Sequence, residues 1–191
     1  MSEFALSLKE GLHRRPRSIS PKWFYDEAGS VLFEQICELP EYYPTRVELA
    51  LLQRHADEIA DLIGPGVDLV EFGAGATRKV RMLLAAFDSP ARFVPVDISG
   101  EHLLDAVDRL RVDHPGLIVK PLVGDFTGEM VLPAAIGARS GFFPGSSIGN
   151  FDPATACALL SAWARARACS RPHFLTLILP LSHAFFTPRR P

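Results

Sequence analysis

From Thr45 onward the apolar residues Leu49, Leu52, Ala56, Ile59 and Ile63 recur in steps of three and four, with His55 among them, the spacing of an amphipathic helix. Thr45 reads as its N-cap and Glu48, three residues on, as the capping-box partner; Gly64-Pro65-Gly66 ends it. The period then changes. Val67 to Phe72 is a short, β-branched apolar run that enters a glycine turn, the pattern of a buried strand. A helix from Thr77 to Phe87, a strand from Arg92 to Val96 and a helix from Ser99 to about Asp113 follow. Leu117 to Val123 reads as a third strand, Gly141 to Phe143 as the end of a fourth, and Pro153 to Ala168 as a helix capped by Asp152 with proline at its favoured first position. Strands alternating with helices predict a doubly wound, parallel α/β sheet. Such sheets bind ligands beyond the carboxyl ends of their strands.

The segments before the first strand differ in character. Residues 1–20 read as a flexible arm. Residues 21–64 are helical, opening with a short unit, Pro21 to Leu39, that carries Trp23, Phe24, Leu32, Phe33 and Ile36. The stretch Leu39-Pro40-Glu41-Tyr42-Tyr43-Pro44 is a loop, since each proline disfavours helix in the residue before it. Residues 65–168 form the α/β core, and residues 169–191 an atypical tail.

Composition narrows the function classes. A chain of 191 residues, 48% hydrophobic and 22% charged, suits one ordinary soluble domain. The net charge of −2 gives no electrostatic reason to expect nucleic acid or an anionic membrane. Cys37, Cys157 and Cys169 are widely spaced and odd in number, which fits reduced thiols in the cytoplasm better than disulfides or zinc. The run Phe174 to Phe186 is too short and too interrupted to span a bilayer. The histidines have no metal-binding spacing, and neither a GxSxG elbow nor a Walker loop occurs. One shift is abrupt: after Asp152 the chain has five arginines but no Asp, Glu, Lys or Gly. Such a change marks a domain–linker boundary or an altered reading frame.

The candidate chemistry lies at the predicted strand ends. Glu71-Phe72-Gly73-Ala74-Gly75-Ala76 allows close backbone approach before a helix N-terminus, but Arg78 stands where a dinucleotide fingerprint needs its third glycine. Lys79 offers a cation to a ligand carboxylate. Asp97 ends the second strand at the distance from the glycine loop where an acid meets a nucleotide ribose, with Ser99 as a helix cap. Gly124-Asp125-Phe126 ends the third, its acid suited to an exocyclic amine and its ring to a purine face. The ordered set favours an adenosine ligand without pyrophosphate, S-adenosylmethionine over NAD. A fourth loop, Phe142-Phe143-Pro144-Gly145-Ser146-Ser147-Ile148-Gly149-Asn150-Phe151, presents Asn150 to a substrate amine or carboxylate, with Tyr42-Tyr43 as an aromatic lid.

Taken with Pro21-Lys22-Trp23-Phe24-Tyr25-Asp26 and Leu39-Pro40-Glu41-Tyr42-Tyr43-Pro44-Thr45-Arg46, these motifs resemble the L-histidine Nα-methyltransferases of ergothioneine biosynthesis over roughly residues 18 to 160. The resemblance implies a Rossmann-like class I methyltransferase core that trimethylates the histidine α-amine to hercynine, with S-adenosylmethionine as donor and no metal. It implies that Gly73, Lys79, Asp97, Asp125 and Phe126 hold the donor and that Tyr43 and Asn150 hold histidine. The expected partner is the small molecule L-histidine, with no nucleic acid and no membrane, and the expected state a monomer. Ala74, Ala76 and Arg78 depart from the small polar residues that the family tends to carry in the glycine loop. The larger departure is the tail. The family continues with a glycine turn, another strand ending in an acid, and a substrate-recognition region, none of which is legible here. A truncated or frameshifted core with an exposed apolar sheet edge is therefore expected. The alternatives are a non-catalytic donor-binding remnant or unstable fragment, and a methyltransferase acting on another small amine.

Overall fold

A computed structural model of the chain describes residues 1–90, 92–165 and 173–175. Helix α1 (Glu3–His13), a 3-10 turn (Pro21–Phe24), α2 (Glu27–Glu38) and α3 (Pro44–Ile63) precede the sheet. The order then runs β1 (Val67–Phe72), α4 (Arg78–Ala86), β2 (Arg92–Asp97), α5 (Gly100–Asp113), β3 (Leu122–Val123) and β4 (Ala138–Phe142), followed by a 3-10 turn (Ser147–Asn150), α6 (Pro153–Arg165) and β5 (His173–Leu175). The strands lie in the order β3-β2-β1-β4-β5 and every pairing is parallel. The chain steps outward from β1 to β3, then returns to the other side of β1 at β4. The switch point therefore opens between the carboxyl ends of β1 and β4, where a ligand crevice belongs.

Alternation along β1 sets the two layers of the core. Leu69 joins Leu52, Ile59, Leu83, Phe93, Leu103 and Phe142 beneath α3, α4 and α5. Val70 and Phe72 join Val94, Val96, Phe143, Leu159 and Trp163 beneath α6. At the opposite end of the sheet from the crevice, Asp68 pairs in register with Arg92 of β2 and Arg139 of β4. Its Oδ2 accepts from Arg92 Nη2 at 2.5 Å and from the Ile136 amide at 3.1 Å, with Arg139 Nη2 at 3.6 Å. A slip by one residue would bury these charges without partners, so the trio pins the register of the three central strands.

Four expectations are corrected. Residues 1–20 are not a loose arm over their whole length, because Glu3–His13 is helical: Ser2 caps it, Phe4 packs edge-on to Trp23 with centroids 5.2 Å apart, and Trp23 Nε1 donates to Ser7 Oγ at 3.0 Å. Gly11 permits this docking, since a Cβ there would lie 1.9 Å from the Ser18 carbonyl oxygen of the returning chain.

Thr45 is not the cap of α3. Tyr43 takes that position and Pro44 the first turn, where its missing N–H costs nothing. Thr45 instead meets Cys37 Sγ at 3.3 Å, and Glu48 turns inward.

The third strand is cut to Leu122–Val123 plus an isolated bridge between Phe93 and Val119. Phe93 directs its N–H to the Ile118 carbonyl and its C=O to the Lys120 amide. Pro95, two residues on, faces the same side without an N–H, opposite a chain that is itself broken by Pro121. Finally, the region expected as an atypical tail contributes β5, which pairs with β4 from Ser140↔His173 to Phe142↔Leu175. The rest of that tail, residues 169–172 and 176–191, lies outside the described residues.

Candidate functional site

The loop after β1 lies low because its glycines adopt a backbone that other residues avoid: Gly73 has φ +75° and Gly75 φ +48°. The Gly73 and Ala74 amides bond the Val96 carbonyl at 2.9 and 3.1 Å, which anchors the loop to the end of β2. Phe126 lies alongside, its Cε1 3.5 Å from where a Gly73 Cβ would stand. The ring is held from behind by Phe143 and Trp163, with centroids 5.6 and 5.8 Å away. Trp163 stacks on Phe72 at 3.8 Å and donates from Nε1 to the Phe126 carbonyl at 3.1 Å. Two polar atoms beside this slot, Glu71 Oε2 and Thr77 Oγ1, are buried without a hydrogen-bond partner among the described residues. Thr77 also takes φ +56°, rare for a residue with a side chain.

Asp97 is placed at the lip of this loop. Its Oδ2 accepts from the Gly75 amide at 2.9 Å and its Oδ1 from the Ser99 amide at 2.9 Å. A carboxylate offers roughly four acceptor positions. Two are taken by these amides, and the two left match the vicinal hydroxyls of a ribose. The low glycine floor, the phenyl wall and the free acceptors together fit an adenosine group.

Asp125 is already engaged. Its Oδ1 accepts from Thr127 N at 2.9 Å and Thr127 Oγ1 at 2.5 Å, and its Oδ2 from Lys22 Nζ at 2.8 Å, while Lys22 also reaches Glu3 at 2.7 Å. Burial alone would raise the Asp125 carboxyl, but the hydrogen bonds from Lys22 and Thr127 outweigh it and hold the group below the usual carboxylate range. Bonds to Asp125 and Glu3 raise the Lys22 ammonium in turn.

Lys79 does not stand as a free cation. Its Nζ lies 2.6 Å from Glu48 Oε2, and Glu48 Oε1 accepts from the Gly145 amide at 2.6 Å. Gly145, at φ +86°, opens the loop that carries Asn150. Asn150 is exposed at the end of its 3-10 turn, and Tyr43 is half-buried at the N-terminus of α3. The link between the two elements runs through Glu48, five residues along α3 from Tyr43. Beside Tyr43, Tyr42 meets Phe33 and Phe33 meets Tyr25 edge-on, at 6.0 and 5.8 Å. Burial and the Asp97 charge raise the Tyr25 phenol, so this aromatic row approaches Asp97.

Reading the sequence alone missed Glu48, Glu71 and Lys22. Glu48 left a signal: it interrupts the buried stripe Thr45, Leu52, Ala56, Ile59 of α3, where a carboxylate needs a partner. Among the described residues no group of three or more His, Cys, Asp and Glu could hold a metal ion. No described helix is long and apolar enough to cross a membrane.

Comparison with known proteins places the chain in a family. The family model "Histidine-specific methyltransferase, SAM-dependent" matches residues 4–178. The histidine N-alpha-methyltransferase of Mycolicibacterium smegmatis is 40% identical over 160 residues, covering 82% of this chain and 50% of the relative. Ergothioneine biosynthesis protein 1 of Neurospora crassa is 33% identical over 78% of this chain and 18% of its own length. The chain thus spans about half the length of the bacterial relative. A solved S-adenosyl-L-methionine-dependent methyltransferase fold from Methanococcus maripaludis superposes with a TM-score of 0.52 at 15% identity, covering 79% of this chain and 64% of that one. On the extent of the family match and the identity to the bacterial relative, the chain belongs to the histidine-specific, SAM-dependent methyltransferase family.

Proposed function

We propose that the chain binds S-adenosylmethionine at the glycine loop and L-histidine at the neighbouring Gly145–Asn150 loop, and transfers methyl groups to the histidine α-amine, giving hercynine in ergothioneine biosynthesis. The observation that carries this reading is the convergence at the carboxyl end of the sheet of the Gly73–Gly75 floor, the two free acceptor positions of Asp97 and the Phe126 wall with the Gly145 loop. The name of the bacterial relative supplies the acceptor, and that of the Neurospora crassa relative the biosynthesis. Cys37 and Cys157, both free thiols, fit a reducing cytoplasm.

The donor supplies a methyl carbon activated by a sulfonium. The chain's own part is positioning. Asp97 would hold the ribose and Phe126 would cover the base, beside the Gly145–Asn150 loop. Asn150 would accept a hydrogen bond from the amine for as long as it carries an N–H, while the tyrosines of the 39–44 loop exclude water. The amine gives up one proton to solvent before each transfer, and its lone pair forms the N–C bond as the methyl–sulfur bond breaks and S-adenosylhomocysteine leaves. Orientation of this kind supplies most of the acceleration in such a displacement.

The test is to incubate the purified 191-residue chain with histidine and labelled donor and to follow methylated histidine by mass spectrometry. Mono-, di- and trimethylhistidine are the expected products. Donor binding without any methylated histidine would reduce the chain to a binding module, and turnover of another amine but not histidine would replace the acceptor.

A further inference from the structure

Glu48 is 1% exposed, in a helix stripe that is otherwise apolar apart from Thr45. A charged carboxylate in such a place is costly without a partner. Here Oε2 holds the Lys79 ammonium and Oε1 the Gly145 amide, each at 2.6 Å. The ammonium passes directly over Gly145, whose Cβ, if present, would stand 3.1 Å from Nζ. A lysine stem is flexible, and its head has three donors. One is spent on Glu48, which leaves others for an anion. Glu48 lies behind the ammonium and is sealed from solvent, whereas the Lys79 side chain keeps 20% of its exposure. The positive face is therefore turned outward and the negative one inward.

We propose that Glu48 is a positioning residue for the methyl donor: it fixes Lys79 at one corner of the donor slot so that the ammonium meets the carboxylate of the donor's amino-acid part. The same carboxylate ties that corner to the acceptor loop through Gly145. This rests on the donor site proposed above.

The experiment compares two nucleosides by titration calorimetry on the full chain. S-adenosylhomocysteine carries the amino-acid carboxylate, and 5′-methylthioadenosine lacks it. Glu48→Gln keeps an acceptor for Gly145 but removes the negative charge that holds Lys79. Expected is a loss of about tenfold or more in S-adenosylhomocysteine affinity with 5′-methylthioadenosine within about twofold of wild type, and no further loss when Lys79→Met is already present. Equal loss of both nucleosides would mean that Glu48 only supports the fold, and overturns the proposal. So would unchanged or tighter binding of S-adenosylhomocysteine. If circular dichroism shows Glu48→Gln unfolded, Glu48→Asp, which withdraws the charge by one methylene, is read by the same criteria. A wild-type chain that binds neither nucleoside refutes the donor site itself, and the role of Glu48 with it; the other outcomes are all read on a chain that binds.

Discussion

Lys22 and Asp125, 103 residues apart in sequence, are joined Nζ to Oδ2 at 2.8 Å, and the same ammonium holds Glu3 at 2.7 Å. One lysine thus latches α1 and the 3-10 turn over the acid at the end of β3. Both partners are partly solvated, so the pair stabilises by about 0–1 kcal/mol.

The latch has a pH window set by its two ends. Asp125 is depressed in the folded state, so its contribution is present above the ordinary aspartate value and lost as pH falls through the lower folded one. Lys22 is raised, so its contribution is present below the ordinary lysine value and lost as pH rises through the higher folded one. Proteolytic cleavage within residues 1–20 is therefore expected to stay slow from about pH 4 to about pH 10, and to accelerate throughout that range in Lys22→Met. Equal cleavage of wild type and variant would show that the apolar contacts of Trp23 hold the segment alone.

Asp97 has two tasks, since it bonds the Gly75 and Ser99 amides besides facing the slot. Asp97→Ala is expected to weaken S-adenosylhomocysteine binding by on the order of 2–3 kcal/mol and to lower the melting temperature as well, because the Gly75 and Ser99 amides lose their acceptor. A variant that melts like wild type yet loses the nucleoside would assign the carboxylate to the ligand alone. One that melts early but binds normally would remove it from the donor site.

Much of the sheet is legible in the sequence, because β1 and α6 carry their own signals: an apolar run closed by Gly73 for the strand, Asp152 before Pro153 for the helix. The capping of α6 follows as expected, with the Thr155 amide on Asp152 Oδ1 at 3.0 Å. What is hidden depends on distant partners. The failure of β3 needs Pro95 and Pro121 to face each other across two strands. Helix α1 is held by Trp23, and Glu48 acquires its meaning only when α4 and the Gly145 loop arrive. The Thr-x-x-Glu spacing that suggested a capping box is satisfied locally by sequence but overridden by Pro44, which moves the helix start and frees Glu48 to turn inward.

Asn150 closes the 3-10 turn Ser147–Asn150 in an exposed position, away from the packed side of its loop. Its amide is therefore available to a substrate, and the turn does not depend on it. Asn150→Ala is expected to weaken histidine binding by about tenfold while leaving S-adenosylhomocysteine affinity and melting temperature unchanged. Calorimetric titration of each ligand separates the outcomes, and an equal loss of both would make the loop a structural support rather than an acceptor site.

Glu71 sits at the end of β1, fully buried, with Oε2 unpartnered among the described residues. Burial pushes its carboxyl well above the ordinary range; Lys79 opposes this, and the Asp97 and Glu48 charges add to it. Burial thus disfavours the charged form of this acid, near a lysine whose charge is already met by Glu48. Because its folded value is raised, Glu71 contributes stability fully below the ordinary glutamate value of about 4.3, and that contribution is lost as pH rises through the folded value. Glu71→Gln has the same shape and no titration. Its melting temperature is expected to lie near that of wild type below about pH 4 and to exceed it by a margin that grows as pH rises above the ordinary glutamate value and levels off once the folded value is passed, with each kcal/mol worth about 2–4 °C in a chain of this size. Thermal scans of both proteins at half-unit pH intervals read the difference directly, so the titrations they share cancel. A constant offset across the range would mean that Glu71 ionises alike in the folded and unfolded chain, and that a second negative charge stands beside Lys79 at working pH.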